Sequence, residues 1–124
     1  MIAIDTSTLI AYLAGDRGHD VEALETALAE GQAHLPPVVV TEALSARNMT
    51  DALARTILAM PSLSISDGYW ERVARTRRGL LVRGLRAPLA DTLICQSCLD
   101  NDVPLLTRDD DFRAFVRHGG LTLA

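Results

Sequence analysis

Apolar residues along this chain switch repeatedly between two spacings, solid or alternating short runs and one-sided helical stripes. Met1–Ile4 is a short apolar run of strand type, and Thr6–Ala14 follows as a helix with Leu9, Ile10 and Leu13 on one face. Gly15–Gly18 reads as a turn. His19–Glu30 is a second helix, with Val21, Leu24 and Leu28 inward and Gly31 as its stop. Ala33–Leu35 is a strand ending at Pro36-Pro37, and Val38–Ala46 is a helix despite its β-branched start. Asn48 or Thr50 caps a further helix to Met60, with Leu53, Ile57 and Leu58 inward. Pro61 ends it, and Leu63 and Ile65 alternate with serines as a third strand. Ser66 caps a long helix running to about Gly84, and Ala87–Asp100 is a helix begun by Pro88. Val103–Thr107 is a fourth strand, Asp109–Val116 a short helix, Gly119-Gly120 a turn and Leu121–Leu123 a fifth strand. Strands alternating with helices predict an α/β fold, a parallel sheet covered on both faces by crossover helices.

Composition sharpens this. At 124 residues the chain is one domain, residues 1–124, and its 48% apolar and 4% aromatic content predicts a core of Leu, Val, Ile and Ala. Charges interrupt every apolar run, so no membrane span is expected. No basic segment precedes Ile2–Ile4 and Asp5 breaks the run at once, which makes the cytoplasm the expected location. Cys95 and Cys98 have redox or zinc spacing, but no second cysteine pair accompanies them and the three histidines are scattered. Both fall on a helical pattern and read as a buried or half-buried pair.

The net charge of −4 does not itself point to nucleic acid. The distribution says more. All twelve basic residues are arginine, and half of them, Arg72, Arg75, Arg77, Arg78, Arg83 and Arg86, lie in one segment. Guanidinium forks bind phosphate in bidentate fashion; a charge run is otherwise a solvated helix face.

The candidate chemistry lies in four acid-bearing motifs: Met1-Ile2-Ala3-Ile4-Asp5-Thr6, Val40-Thr41-Glu42-Ala43-Leu44, Pro88-Leu89-Ala90-Asp91-Thr92 and Leu105-Leu106-Thr107-Arg108-Asp109. Each acid has an ordinary explanation taken alone. Asp5 can cap the next helix through the amides of Ser7 or Thr8, and Glu42 can face solvent. Asp91 suits the positive end of its helix, and Asp109, Asp110 and Asp111 suit a helix start. Together they say more. In a doubly wound sheet the carboxyl ends of the first and fourth strands can be neighbours at the switch point, which brings Asp5 and Asp109 to one edge. The helices carrying Asp91 and Glu42 begin at that edge. Clustered carboxylates repel and raise one another's pKa unless a hard cation such as magnesium or manganese takes their oxygens. Such a site orients a phosphodiester and acidifies water for in-line attack, with no histidine or serine nucleophile.

These motifs resemble those of PIN-domain ribonucleases, most closely the VapC-like toxins of VapBC toxin–antitoxin pairs, over essentially the whole length. The resemblance implies a three-layer α/β/α sandwich with a five-stranded parallel sheet. It implies Mg²⁺- or Mn²⁺-dependent RNA cleavage by a toxin that forms a homodimer and is inhibited by a small cognate antitoxin. It carries the catalytic, metal-binding acids onto Asp5, Glu42, Asp91 and Asp109. Asp111 is an auxiliary acid, and Thr6 and Thr107 are hydroxyls that orient carboxylates or metal waters. Under it Arg75, Arg77, Arg78, Arg83 and Arg86 become contacts for RNA phosphate or an acidic antitoxin tail. The helices near Tyr12 and Leu13 and near Leu53 and Ile57 are either dimer or antitoxin surfaces or plain core.

Three other readings fit these residues less well. A receiver domain also has five parallel strands and an acidic magnesium pocket, but it needs a lysine and a phosphoacceptor Asp after strand three. This chain has no lysine, and Ser64-Ile65-Ser66 occupies that strand end. A non-catalytic PIN-like binding subunit is disfavoured by retention of all four acids. A housekeeping RNA-processing nuclease shares the same site; small size without an appended domain favours the toxin.

Overall fold

A computed structural model describes residues 1–124. Its elements in chain order are β1 (Ile2–Ile4), α1 (Thr6–Leu13), α2 (His19–Ala29), β2 (Ala33–His34), α3 (Pro37–Leu44), α4 (Asp51–Ala59), α5 (Tyr69–Leu81), α6 (Leu89–Asn101), β3 (Leu105–Leu106) and α7 (Arg113–Gly119), with a 3-10 turn at Asp110–Phe112 before α7. β1 is central. It pairs in parallel with β2 through Ile2↔Ala33 and Ala3↔His34, and with β3 through Ala3↔Leu105 and Ile4↔Leu106. The first and fourth apolar runs are therefore neighbours, which places Asp5 beside Thr107.

The sheet has three strands and not the five expected. The two missing ones survive as single parallel bridges, Leu35↔Ser62 and Leu105↔Leu123. Leu63 donates its amide to Leu35 and is buried, but Ile65 is 45% exposed, so the alternation that predicted a strand ends after one inward residue. Ser64 instead gives its carbonyl to Asn101 Nδ2. The helix after it also starts later than expected. Gly68, at φ 82, precedes α5, and the Ser66 hydroxyl accepts from Arg72 Nη2 (2.8 Å) without capping the helix. Thr50 caps α4 as anticipated, accepting from the amide of Leu53, but Leu58 points outward at 64% exposure while Ile57 is fully buried.

Ile4, Leu9, Leu24, Leu35, Val39, Ile57, Ile94, Leu105, Phe112 and Phe115 are all essentially inaccessible and form one contiguous aliphatic core with two phenylalanines. Cys95 and Cys98 join it as free thiols on α6, and burial pushes both thiols up to about 12. No helix is long and apolar enough to cross a membrane.

α5 lies along α6 through a polar seam. Arg72 grips Asp100 with Nε and Nη2 at 2.7–3.1 Å. The Thr76 hydroxyl donates to Gln96 Oε1, and the Tyr69 hydroxyl donates to the Leu93 carbonyl. Arg77 Nε reaches the Ala87 carbonyl at 2.7 Å, so the end of α5 is tied to the residue that leads into α6. Every buried side-chain polar atom has a partner, which is what makes such a seam stabilising and not a liability.

Candidate metal centre

Asp5 stands at the N-cap position of α1 in extended backbone conformation, yet its side chain makes no capping bond. The capping role expected for it alone is corrected by what it does instead. The Ser7 hydroxyl and the Thr107 hydroxyl (2.7 Å) both donate to its Oδ2. Oδ1 accepts nothing, and no buried side-chain oxygen in the chain lacks a partner, so Oδ1 opens to solvent. Asp5 as a whole is only 4% exposed. A carboxylate held by two hydroxyls, with its other oxygen unbonded, is of a kind that can serve as a metal ligand.

The neighbours are arranged around it. Thr6 Oγ1 donates to Glu42 Oε1 at 2.7 Å, joining the residue after Asp5 to α3. Thr107 spans the gap from Asp5 to the Asp109 turn, since the Asp109 amide donates to Thr107 Oγ1 (3.0 Å). Asp109 does cap the 3-10 turn, accepting the Asp111 amide at 2.9 Å on Oδ1, which leaves its other oxygen free. Asp111 is exposed, and its carboxylate makes no bond within the chain. Asp91 lies in the first turn of α6 and is half-buried. Burial, followed by the charges of Asp5, Asp109, Asp111 and Glu42, raises its carboxyl from 3.8 to about 6. Asp91 thus feels the other four acids.

Nothing within the chain neutralises them. The two ion pairs are Arg72–Asp100 and Arg108–Asp20, both outside the cluster. The second braces it. Arg108 turns away from Asp109 and binds Asp20 of α2 with Nε at 2.8 Å and Nη2 at 3.0 Å, while Thr8 also donates to Asp20. The Arg108 guanidinium holds Asp20 at about 2 against burial, which opposes it. Ser7, Asp20 and Arg108 were not singled out in the sequence. Ser7 was within reach, two residues after Asp5 and just past the end of its motif. The Asp20–Arg108 pair spans most of the chain and leaves no local trace.

The donor set suits a hard divalent cation: carboxylate oxygens, oriented by hydroxyls, without histidine or thiolate. No three acidic, histidine or cysteine side chains close into a ready direct chelating shell. An ion here would therefore be held through a few carboxylates and retained waters, as magnesium commonly is.

Of the arginines predicted to meet RNA or an antitoxin, Arg77 is committed to the Ala87 carbonyl. Arg75, Arg78, Arg83 and Arg86 are exposed and make no hydrogen bond or ion pair within the chain. Of the candidate apolar surfaces, Ile57 belongs to the core, whereas Tyr12 lines an open groove with Leu28 and Met60, and Leu13 and Leu53 line a smaller one.

The model of the PIN domain family matches residues 2–117. The chain belongs to the PIN domain family. Solved structures agree on the fold. FitAcB from Neisseria gonorrhoeae is similar over 99% of this chain and 96% of its own at 16% identity, with a TM-score of 0.73. VapBC-5 from Mycobacterium tuberculosis, a member of the VapBC family of toxin-antitoxin systems, is similar over 98% and 94% at 24% identity, with a TM-score of 0.61. FitAB bound to an IR36 DNA fragment covers 100% of this chain and 94% of its own at 17% identity, with a TM-score of 0.68. No curated protein sequence matches the chain. At these identities the structural likeness speaks for the PIN fold, and the chemistry must come from this chain's own residues.

Proposed function

We propose that this PIN domain is a divalent-metal-dependent endoribonuclease and the toxin of a type II toxin–antitoxin pair. One observation carries the reading: a nearly buried Asp5, pinned by two hydroxyls with one oxygen open to solvent, at the edge where Glu42, Asp91, Asp109 and Asp111 meet without a counter-charge. Burying Asp5 and half-burying Asp91 near other acids is costly, although Glu42 and Asp111 stay exposed. Asp5 and Asp91 would hold Mg²⁺ or Mn²⁺ most directly, and Glu42 and Asp109 would hold its waters, with Asp111 auxiliary. When bound, such an ion polarises a phosphodiester and makes water acidic enough to supply the nucleophile.

The chain's own residues do the positioning. Thr107 and Ser7 hold Asp5 in one rotamer, and Thr6 does the same for Glu42. Asp20 and Arg108 keep the Thr107–Asp109 turn in register with β1. Asp91, protonated below about 6 in the absence of a cation, has to release its proton for an ion to enter. RNA is favoured as substrate by the free arginines of α5 and the turn after it. The VapBC family membership of VapBC-5 supports a small antitoxin partner, and the open apolar grooves offer surface for that partner and for a second copy.

The test is RNA cleavage in Mn²⁺, together with growth after induction, for wild type, Asp5→Asn and Asp91→Asn. Wild type should cut RNA and arrest growth, and both variants should do neither. Equal cleavage by all three removes the proposed mechanism.

A further inference from the structure

A small polar pocket between α5 and α7 lies outside the acid cluster. We propose that it binds a backbone phosphate of single-stranded RNA away from the bond that is cut, an inference that rests on the nuclease reading and adds a second contact to it. The pocket measures about 240 Å³, below the roughly 300 Å³ at which sites for drug-sized ligands begin. Arg75 of α5, Arg83 just beyond its end and His118 of α7 line it, and Leu80 is its one apolar residue. Arg75 and Arg83 are exposed and unpaired, unlike Arg72 and Arg77, whose guanidiniums are occupied by Asp100, Ser66 and the Ala87 carbonyl. Thr76 also lines the pocket, but its hydroxyl spends its proton on Gln96, so the available side-chain donors are the two guanidiniums and the imidazole.

Gly79 lies between Arg75 and Arg83, one turn from each, inside α5. A glycine there costs a helix about 1 kcal/mol relative to alanine. Its backbone is not left-handed, and a Cβ built on it would meet nothing within 4 Å. Neither conformation nor packing demands glycine at this position. What the missing side chain leaves is open space in the pocket wall, where a tetrahedral anion can come against the helix between two guanidinium forks. An amphipathic peptide would need an apolar stripe, which this pocket lacks. The position also suits a nucleic-acid strand, since the turn carrying Arg83 joins α5 to α6, whose first turn holds Asp91.

The experiment is fluorescence anisotropy with a labelled single-stranded RNA oligonucleotide in EDTA, where the RNA stays intact, and with a labelled polyglutamate peptide as second probe. Gly79→Glu should weaken RNA binding about tenfold or more, the scale of a lost charged contact. Arg75→Gln/Arg83→Gln should lower the slope of log affinity against log salt by about 1.4, at about 0.7 per lost contact to a single strand. Gly79→Ala should melt at a higher temperature than wild type and yet bind RNA more weakly, a pairing of signs that mere loss of folding cannot produce. Arg47→Gln/Arg55→Gln removes equal charge elsewhere and should leave RNA affinity within about twofold. Unchanged RNA affinity in the Gly79 and Arg75/Arg83 variants, an equal loss in the Arg47/Arg55 variant, or a loss confined to polyglutamate would each overturn the proposal. Cleavage by wild type in Mn²⁺ and its absence in Asp5→Asn are scored separately, so failure of the pocket and failure of the nuclease reading are distinct results.

Discussion

Replacing Asp91 by Asn should make the metal-free protein more stable above pH 6 while destroying its activity. Asp91 titrates at about 6 against 3.8 in the unfolded chain, raised first by burial and then by the surrounding acids. Between those values the folded protein holds a proton that the unfolded chain has lost. Stability therefore falls as pH rises from about 4 to about 6, and the full penalty remains above that. At 1.36 kcal/mol per pH unit the gross cost is about 3 kcal/mol. Solvent reaching the half-buried carboxyl lowers this, and losing an acid from the first turn of α6 gives back about 0.3–1 kcal/mol. The side chain makes no hydrogen bond within the chain, so the isosteric amide breaks none. A net gain of about 1–2 kcal/mol follows, worth roughly 4 °C or more per kcal/mol in a domain of this size. Thermal unfolding by circular dichroism in EDTA across pH 4 to 8 measures it. The two proteins should converge near pH 4 and separate by pH 7, and added Mn²⁺ should then reverse the order by stabilising wild type alone. A gap that does not change with pH, or an Asp91→Asn variant less stable throughout, would refute the idea that Asp91 is held where its ionised form is penalised.

Ser7→Ala and Thr107→Val each remove a hydroxyl from Asp5 Oδ2 and should lower cleavage about 10- to 100-fold, the usual range for groups that orient a metal ligand. Circular dichroism should show both variants folded, and RNA affinity in EDTA should be unchanged. Asp20, held at about 2 by Arg108, contributes stability that is fully present above the unfolded value of 3.8 and is lost as pH falls from about 4 to about 2. Asp20→Asn should therefore move the acid-unfolding midpoint to higher pH and leave little difference between the proteins below pH 2. Ile57→Ala should cost about 2–5 kcal/mol in urea unfolding, whereas Leu58→Ala should stay within about 0.5 kcal/mol of wild type. Equal costs would place α4 at the rotation the apolar pattern suggested.

That pattern shows how much of the fold local sequence carries. Helix identities were legible throughout because Leu, Ile and Ala recur at helical spacing between strong stops, at Gly31, Pro61 and the paired Pro36-Pro37. Helix phase was less legible. Ile57 and Leu58 are equally apolar neighbours, and tertiary packing of α4 chooses between them. The edge strands failed for a related reason. Ser62 and Leu123 each meet one partner residue, and whether a run earns a second ladder position depends on the chain across from it. Ser66 misled because a serine before an acidic turn is an excellent cap in isolation. Here Arg72 takes its hydroxyl, and Gly68 supplies the left-handed residue that starts α5.

The site was legible in a different way, through the conflict between local and joint readings. Taken singly, Asp5, Glu42, Asp91 and Asp109 each had a sufficient local explanation, and for Asp109 that explanation holds, since it caps the turn before α7. For Asp5 it does not. A side chain at an N-cap position with nearby amides to accept has an easy bond worth about 1 kcal/mol. Asp5 forgoes that bond and takes hydroxyls from Ser7 and from Thr107, a hundred residues away in the chain. The parallel pairing of β1 with β3 is what brings Thr107 there, so the departure from local preference is produced by the fold itself. A carboxylate withheld from its nearest partners, in a fold that also sets four acids around Asp91 without a cation of their own, is what the proposed metal-dependent reading would require. The Asp91 titration in EDTA and in Mn²⁺ tests that reading, because the first measures the cost of ionising Asp91 from burial and neighbouring acids together, and the second measures whether a cation relieves it.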